Sequence, residues 1–196
     1  MPIIDEREHS TLEIHEDHVA KILKKEFHEQ ITGFENADDW LKTYSKFVNE
    51  SSDPTRYVKV KEVKDVTVDG VKRQSFIMEK VNVLSTVRDF IDIKFINQEL
   101  ISEDVYLEII YQVLAVMTDI AKFNKEHMRG GNYWINEDLH LGQFVITKDK
   151  KVMLLDPESF IVSKSPFHYK QTLPIQEMVF KFVGLDIVKS NSKDTL

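Results

Sequence analysis

The stretch NEDLHLGQFVITKDKKVMLLDPESF, residues 136–160, decides the fold prediction. It contains an Asp-Leu-His-x-Gly-Gln run, a short hairpin pattern and then Leu-Leu-Asp-Pro-Glu. A phosphotransferase uses one carboxylate to orient or deprotonate an acceptor hydroxyl, and another to hold the metal that bridges the phosphates of ATP. Asp138 and Asp156 are candidates for these roles, and the amide of Gln143 could help to hold a second metal. The interval between Gln143 and Asp156 fits two short strands and a tight turn, which would return Asp156 to Asp138.

Each fragment taken alone has an ordinary structural explanation. Asp-Leu-His can lie on any loop, and Asp-Pro is a common start of a turn after a buried strand. Short motifs of this kind carry a real risk of false matches. The two fragments in this order, separated by a hairpin of suitable length, favour the catalytic interpretation.

Composition limits the classes of protein that the chain can represent. Its 196 residues, 42% of them hydrophobic, suit one domain or two small lobes that share a core. No stretch approaches the roughly 18 unbroken apolar residues of a membrane span, and the acidic start, MPIIDEREHS, is unlike a signal peptide. The chain has no cysteine, which excludes disulfides and thiolate metal sites and agrees with a cytoplasmic location.

The charge balance argues against a nucleic-acid partner. The net charge at pH 7 is −7, whereas general nucleic-acid binders are basic. One segment nevertheless concentrates basic side chains, namely Lys59, Lys61, Lys64, Lys72 and Arg73. We interpret these side chains as the solvated face of strands, and we expect neither a membrane nor a nucleic acid as a partner.

The first half of the chain is predicted to be rich in strands. Alternating residues predict strands over 11–15 and 19–23. Asn36 is expected to cap a helix over 36–48, and its apolar face would contain Trp40, Leu41, Tyr44 and Phe47 or Val48. Asp69-Gly70 is expected to join two strands, over 56–68 and 71–81, because both turn positions tolerate positive φ.

The second half is predicted to be rich in helices. Residues 82–85 read as a connector, and a short helix is predicted over 86–93. Apolar residues at helical spacing predict a long helix from Glu103 to His127, capped by Ser102 and ended by Gly130-Gly131. After the motif segment, a last helix is predicted over 174–182. This order indicates an α+β fold, with a sheet-rich part (1–81) and a helix-rich part (82–196) that meet at a cleft suited to a ligand.

This order and three short motifs resemble the protein-kinase-like fold. Val-Ala-Lys ending at Lys21 resembles the third-strand motif whose lysine holds the α- and β-phosphates. Residues 138–143 resemble the catalytic loop of small-molecule and phage kinases, in which Asp138 matches the catalytic base and Gln143 the metal-binding Asn. Asp156-Pro157-Glu158 falls on the Asp-Phe-Gly motif, in which Asp156 matches the metal-binding Asp.

The resemblance also implies an adenine site. Glu79 to Val81 resembles the hinge whose backbone would contact adenine, with Met78 or Ile77 near the gatekeeper position. Among families, the chain is most similar to the serine/threonine kinases of short-tailed bacteriophages, whose Asp-Pro-x-Ser-Phe segment is matched by residues 156–160. The similarity covers residues 11–165. It implies a minimal two-lobed kinase-like fold, with an antiparallel sheet N-lobe and a reduced helical C-lobe.

The chain departs from the kinase pattern in the parts that bind phosphates. Its first glycine is Gly33, so no glycine-rich loop precedes Lys21, and only about one hairpin fits there. Gln143 keeps the amide of the usual Asn but adds a methylene. Asn136 and Glu137 leave no arginine before Asp138 that could bind an activating phosphate.

The ion-pair partner of Lys21 stays open at this level. A kinase lysine pairs with a glutamate of the helix that follows it. The acidic residues near the start of the predicted helix are Glu35, Asp38 and Asp39, and the sequence does not choose among them.

Two functions follow from the resemblance. The first is an ATP- and Mg²⁺-dependent phosphotransferase, a serine/threonine kinase acting on host proteins in the host cytoplasm. Its catalytic residues would be Asp138 and Lys21, its nucleotide-binding residues Lys21, Met78, Glu79 and Val81, and its metal ligands Gln143 and Asp156. The second is a weak or inactive pseudokinase that binds and inhibits a host protein. An unrelated α+β binding domain is the third alternative.

Overall fold

Five antiparallel strands form the sheet of the first half of the chain. In the computed structural model, which describes residues 2–24, 34, 36–97, 103–149 and 151–165, these strands are β1 (Ile3–Glu6), β2 (Ser10–Ile14), β3 (His18–Leu23), β4 (Val60–Val68) and β5 (Val71–Glu79). Their order is β1-β2-β3-β5-β4. The α+β class and the antiparallel sheet are therefore confirmed, whereas β1 was not predicted as a strand.

Helix α1 (Ala37–Glu50) connects β3 to β4 and packs against β4. The predicted cap is confirmed, because the side-chain oxygen of Asn36 accepts a hydrogen bond from the backbone N–H of Asp39 at 3.0 Å. The buried face consists of Trp40, Tyr44, Phe47 and Val48. The Trp40 indole N–H donates to the carbonyl of Phe160 at 2.8 Å, and this bond anchors the helix to a strand late in the chain.

The β4–β5 hairpin turns at Asp69-Gly70 as predicted. Both residues have positive φ, 51° at Asp69 and 75° at Gly70, which matches the twist of the flanking strands. The predicted strand start at residue 56 is wrong, because Pro54–Arg56 forms a turn of 3₁₀ helix. The Asp53 side chain caps this turn by accepting a hydrogen bond from the backbone N–H of Thr55.

The second half contains two further small sheets. Strands β6 (Val83–Thr86), β8 (Phe144–Thr147) and β9 (Val152–Leu154) form one sheet, in the order β6-β8-β9. Strands β7 (Tyr133–Asn136) and β10 (Phe160–Ser163) form the other. The predicted hairpin between Gln143 and Asp156 is confirmed as β8–β9. The predicted connector at 82–85 is wrong, because these residues pair with the free edge of β8.

The described part of the second half also contains two helices, α2 (Val87–Ile96) and α3 (Glu103–His127). Helix α3 has the predicted bounds, and its buried apolar residues are Ile109, Val113, Val116, Ile120 and Phe123. Val105, also predicted to face the core, is 42% exposed. Gly130 and Gly131 both have positive φ and follow the end of the helix. The predicted cap Ser102 and the predicted helix over 174–182 lie outside the described residues.

One hydrophobic core runs through both halves. Phe47 of α1 lies 5.5 Å from Phe123 of α3 and 5.1 Å from Phe160 of β10, measured between ring centroids. Trp134 of β7 stacks on Phe160 at 5.3 Å. Aromatic rings packed in this way bury large apolar areas, so the core fixes the sheet relative to the loops that follow β7 and β9.

The surface agrees with the interpretation of the basic segment. Lys59, Lys61, Lys64 and Lys72 are exposed, and Arg73 is partly buried. Over the described ranges, no helix has the length and apolar character needed to cross a membrane.

Candidate functional site

A cleft of about 1080 Å³ lies between the five-stranded sheet and the loops that follow β7 and β9. All of the predicted site residues line it, namely Lys21, Met78, Glu79, Val81, Asp138, Gln143 and Asp156. Lys21, Met78 and Glu79 lie on strands of the sheet, and Val81 lies in the segment that follows β5. The loops after β7 and β9 contribute the other three residues. The fold therefore collects into one cavity side chains that are far apart in the sequence.

Lys21 lies on β3, where alternation directs its side chain into the cleft. Val19, Lys21 and Leu23 line the cavity together, while Ala20 and Ile22 face away from it and are buried. The Lys21 ammonium contacts two carboxylates, that of Asp156 at 2.9 Å and that of Glu158. Burial by itself would lower the pKa of Lys21, but the charges of Glu158 and Asp156 outweigh burial and hold the pKa above its usual value.

Glu158 is the ion-pair partner of Lys21 that the sequence did not identify. Its side chain is only 12% exposed, and its second oxygen, Oε2, is buried with no hydrogen-bond partner. Burial raises the pKa of the Glu158 carboxyl group, and the positive charge of Lys21 opposes that rise. The sequence contained a signal for this residue, because Glu158 lies two positions after Asp156 in the motif segment.

The acidic residues at the start of α1 do not have the role that the kinase pattern suggested. Asp38 is exposed. Asp39 accepts a hydrogen bond from the Asn36 amide and lies 3.6 Å from Lys42, within its own helix. Glu35 lies outside the described residues. The sequence left the ion-pair partner of Lys21 open, and the structure pairs Lys21 with Asp156 and Glu158.

Asp138 lies in the turn after β7 and is the most accessible carboxylate of the motif loop. Its side chain is 46% exposed. Its backbone N–H donates to the Asn136 side chain at 3.1 Å, and its carboxylate accepts a hydrogen bond from the Gln143 amide at 3.3 Å. These bonds fix the position of the carboxylate and leave part of it open to the cleft.

His140 braces the loop between Asp138 and Gln143. Its Nδ1 accepts a hydrogen bond from the backbone N–H of Gly142 at 3.0 Å, so the network assigns the ring proton to Nε2. Nε2 lies 3.6 Å from the Asp138 carboxylate. The ring thus turns a proton-bearing nitrogen toward Asp138 and keeps that carboxylate oriented.

Gln143 is 3% exposed and connects the two motif fragments. Its amide nitrogen donates to Asp138 and, at 3.4 Å, to the hydroxyl of Ser159. Its carbonyl oxygen Oε1 is buried with no hydrogen-bond partner. Its backbone carbonyl accepts a hydrogen bond from Leu155, the residue before Asp156, at 3.1 Å.

Asp156 is fixed by the short turn that follows it. Residues Pro157–Ser159 form a single turn of 3₁₀ helix, and the backbone N–H of Ser159 donates to the Asp156 carbonyl at 3.3 Å. The carbonyl of Ser159 in turn accepts a hydrogen bond from the backbone N–H of Glu137 at 2.9 Å. The loop that carries Asp138 and the turn that carries Asp156 are therefore bonded to each other.

Oxygen atoms of the type that divalent cations bind lie in the lining of the cleft. Such hard cations prefer carboxylate and amide oxygens, which Asp156, Glu158 and Gln143 supply. A buried polar atom without a hydrogen bond is rare in folded proteins and calls for a ligand or a water. Glu158 Oε2 and Gln143 Oε1 are two such atoms at the base of the same cleft.

The edge of the cleft near the end of β5 contains the predicted hinge residues. Met78, Glu79 and Val81 line the cavity together with Val19 and Val58. Glu79 is fastened to the start of β4, because its N–H donates to the Lys59 carbonyl at 2.9 Å and its carboxylate accepts the Lys59 N–H at 3.0 Å. This apolar edge could hold a flat ring.

The turn between β1 and β2 covers the other end of the cleft. Arg7, Glu8 and His9 form this turn, and all three line the cavity. The sequence analysis gave these residues no role, because they match no phosphate-binding motif.

Comparisons with known proteins give no family for the chain. No protein-family model matches it, and no curated protein matches it. Solved structures do match, among them a crystal structure of WbdD, with 14% sequence identity and a TM-score of 0.48. The match covers 95% of this chain and 37% of the WbdD chain, so the chain spans well under half of that protein's length. A likeness at this level carries no functional argument, and the function must be argued from the site.

Proposed function

We propose that this protein is an ATP- and Mg²⁺-dependent phosphotransferase with a minimal two-lobed, kinase-like arrangement. Residues 1–81 would be the sheet-rich lobe and residues 82–196 the helix-rich lobe. The observation that carries the proposal is the convergence in one cleft of a strand lysine, Lys21, with Asp156 and Asp138, which come from loops more than a hundred residues later. A kinase needs these three charges in one place.

The nucleotide would lie along the cleft from the end of β5 to Lys21. Met78 and Val81 would contact the adenine ring, and the backbone between Glu79 and Val81 would bond its polar edge. The Lys21 ammonium would then hold the phosphates. Its present contacts with Asp156 and Glu158 support this role, because they hold the ammonium beside the proposed metal ligands.

Asp156 and Gln143 would hold the metal, and Glu158 would join them. Bound Mg²⁺ would supply charge neutralisation of the phosphate oxygens. The carboxylates of Asp156 and Glu158 would lose part of their contact with Lys21 as the phosphates arrive. The buried oxygens of Glu158 and Gln143, which now have no hydrogen-bond partner, would serve as metal ligands.

Asp138 would act on the acceptor hydroxyl. The hydroxyl oxygen would form a bond to the γ-phosphorus while the bond between that phosphorus and the β–γ bridging oxygen breaks, and ADP would leave with that oxygen. The hydroxyl proton would pass to the Asp138 carboxylate. Most of the acceleration would come from positioning and charge stabilisation, for which His140 and Gln143 keep Asp138 oriented.

The acceptor would be a serine or threonine hydroxyl of a host protein, and the protein would act in the host cytoplasm. This part of the proposal rests on the similarity of residues 138–143 and 156–160 to the loops of phage kinases. The partly exposed Asp138 supports an acceptor that approaches from outside the cleft.

The test is transfer of radiolabel from γ-labelled ATP to proteins of a bacterial lysate, together with a thermal shift on addition of Mg-ATP. We expect wild-type protein to be stabilised by Mg-ATP and to label a protein band. Asp138→Asn should still be stabilised but should lose about a thousandfold in transfer rate. Asp149→Asn, which changes an exposed aspartate in the β8–β9 hairpin, should match wild type. Equal labelling by wild type and Asp138→Asn would refute the catalytic role.

A second candidate is a pseudokinase that binds and inhibits a host protein. It is favoured by two observations: the turn at residues 7–9 has no glycine, and Lys21 already has two carboxylate partners. In that case Mg-ATP would cause no thermal shift. One host protein would be retained in equal amounts by wild type and Asp138→Asn, without added nucleotide.

A further inference from the structure

The turn between β1 and β2 faces the phosphate end of the cleft with charged side chains. Arg7, Glu8 and His9 line the same cavity as Lys21 and Asp156. In kinases, a glycine-rich loop covers the phosphates at the corresponding end of the site. Here the residues with that position carry side chains of their own.

The backbone of this turn is committed in part to other bonds. The N–H of Arg7 donates to the carbonyl of Ser10 at 2.8 Å. The carbonyl of His9 accepts the N–H of Lys24 at 3.1 Å, and the carbonyl of Arg7 accepts a hydrogen bond from the Lys24 ammonium. The Arg7 amide is therefore not available to a phosphate, and any contact from Arg7 must come from its side chain.

The Arg7 guanidinium is held less tightly by its ion-pair partner than the Lys21 ammonium is by its two partners. It donates from Nε and Nη2 to one carboxylate, that of Asp5, at 2.9 and 2.7 Å. The Arg7 side chain is 62% exposed, whereas Lys21 is 13% exposed and contacts two carboxylates. An exposed pair of this kind is worth little in water, so an arriving phosphate can displace Asp5 from Arg7 more easily than it can displace the partners of Lys21.

Several carboxylates line the cleft, so a triphosphate bound there would require a nearby cation. The carboxylates of Asp5, Glu8, Asp138, Asp156 and Glu158 line the same cavity. A triphosphate adds several negative charges to this group. A planar guanidinium is the side chain best shaped to bind phosphate oxygens in pairs, and an imidazole N–H can donate one further hydrogen bond.

We propose that Arg7 and His9 form a side-chain clamp for the terminal phosphates, with Asp5 holding Arg7 in place until the phosphates arrive. The clamp would replace the backbone amides of a glycine-rich loop. This inference rests on the proposed nucleotide site, because it specifies which residues of that site hold the phosphate tail.

The test is isothermal titration of the full chain with three probes, Mg-ATP, Mg-tripolyphosphate and adenosine. Arg7→Ala should weaken the binding of Mg-ATP and of Mg-tripolyphosphate about tenfold and should leave adenosine unchanged. His9→Ala should show the same pattern with a smaller loss. Asp5→Asn should tighten Mg-ATP binding about threefold, because it removes the competing carboxylate. Lys72→Ala, which removes an exposed cation at the β4–β5 hairpin, is the matched control and should change nothing.

The outcomes separate the clamp from the proposed function. If wild type binds Mg-ATP and both Arg7→Ala and His9→Ala bind it equally well, the clamp is wrong and the nucleotide site stands. If wild type binds Mg-tripolyphosphate but not Mg-ATP, and Arg7→Ala loses the tripolyphosphate, the clamp stands and the kinase proposal falls. If wild type binds none of the three probes, both are wrong.

Discussion

Two clusters of polar and charged side chains connect distant parts of this chain, and they differ in how completely their buried polar atoms are bonded. The structural cluster consists of Arg56, Tyr57 and Asp119. The cleft cluster consists of Lys21, Asp156 and Glu158. Both clusters join the first half of the chain to the second. The two clusters can therefore be compared directly. The structural cluster stabilises the fold, and the cleft cluster is where we propose that a ligand binds.

No buried side-chain nitrogen or oxygen of the structural cluster lacks a hydrogen-bond partner. One oxygen of Asp119 accepts the backbone N–H of Ser52 at 2.9 Å, and the other accepts the Tyr57 hydroxyl at 2.8 Å and lies 3.4 Å from Arg56. The Arg56 guanidinium also donates to Ser52 and Gln112. Burial, followed by the charge of Asp119, raises the pKa of Tyr57, so its hydroxyl stays a donor. The bonds attach helix α3 to the turn before β4.

The cleft cluster is incompletely bonded. Glu158 Oε2 is buried without a hydrogen bond, and the neighbouring Gln143 Oε1 is in the same condition. Leaving such an atom unbonded costs about 1–3 kcal/mol. The unbonded atoms therefore make the fold less stable at the cleft cluster than at the structural cluster. Such a local loss of stability is typical of sites that bind a ligand.

The largest effect should follow from breaking the structural cluster. Asp119→Ala leaves Arg56 buried without its carboxylate, and we expect a loss of about 3–5 kcal/mol in the free energy of unfolding. Asp65→Ala, an exposed position on β4, should change that free energy by less than about 0.5 kcal/mol. Urea unfolding measures both. If Asp119→Ala lowers the free energy of unfolding by less than about 1 kcal/mol, the structural cluster does not stabilise the fold as proposed, and the contrast with the cleft cluster is wrong.

A smaller effect should follow from removing the cation of the cleft cluster. Lys21→Met leaves Asp156 and Glu158 close together, and we expect a loss of about 2–3 kcal/mol in the free energy of unfolding without Mg²⁺. Added Mg²⁺ should restore part of this loss, about 1.4 kcal/mol at ten times its dissociation constant, because it binds only the folded site. The double variant Lys21→Met/Asp156→Asn lacks a proposed metal ligand and should gain nothing from Mg²⁺. Equal gains in the two variants would contradict a metal site at Asp156 and Glu158.

The pH dependence of stability should change in the same variant. Burial raises the pKa of Glu158, and Lys21 opposes that rise, so Lys21→Met should move the pKa of the folded state further above the ordinary value of 4.5. Between pH 4.5 and the raised pKa of the folded state, Glu158 has lost its proton in the unfolded chain but keeps it in the folded chain. The free energy of unfolding should therefore fall as the pH rises toward the folded pKa, by at most about 1.4 kcal/mol per pH unit.

Urea unfolding of Lys21→Met between pH 5 and pH 8, compared with wild type, measures this slope. The double variant Lys21→Met/Glu158→Gln has no carboxyl group at position 158, and it should lose the added slope. If the double variant keeps the slope of the single variant, another group is responsible and the assignment to Glu158 is wrong.

The parts of the fold that the sequence predicted are those set by neighbouring residues. The Asn36 cap, the Asp69-Gly70 turn and the bounds of α3 each depend on a few adjacent side chains. The interval between Gln143 and Asp156 predicted the β8–β9 hairpin for the same reason. Strands β6, β7 and β10 depend on pairing partners elsewhere in the chain, and local patterns did not reveal them.

The candidate site was predictable to the same extent. The residues that match short motifs, such as Asp138 and Asp156, lie in one cleft with Lys21. The partnership between Lys21 and Glu158 was missed, because the kinase pattern directs attention to α1 and because the two residues lie far apart in the sequence. Arg7 and His9 also line the cleft and were not predicted, because they match no motif.

The smallest effect should come from Gly142, which lies beside the brace of the motif loop. A Cβ atom at this position would lie 2.9 Å from His140 Cε1 and 3.0 Å from His140 Nδ1. The ring would have to move, and its hydrogen bond from the Gly142 N–H would be lost or lengthened. Nε2 would then leave its position 3.6 Å from the Asp138 carboxylate.

Gly142→Ala should therefore lower the rate of phosphoryl transfer about tenfold, since misplacement of a catalytic group is costly, with little change in the affinity for Mg-ATP. The matched control is Gly70→Ala, which meets no atom within 4 Å but has a φ of 75° in the β4–β5 turn. That control should lose about 1 kcal/mol of stability and keep its transfer rate. If Gly142→Ala loses stability but keeps its transfer rate, His140 supports the fold and not catalysis. The two clusters would then differ only in the buried atoms that lack a hydrogen bond.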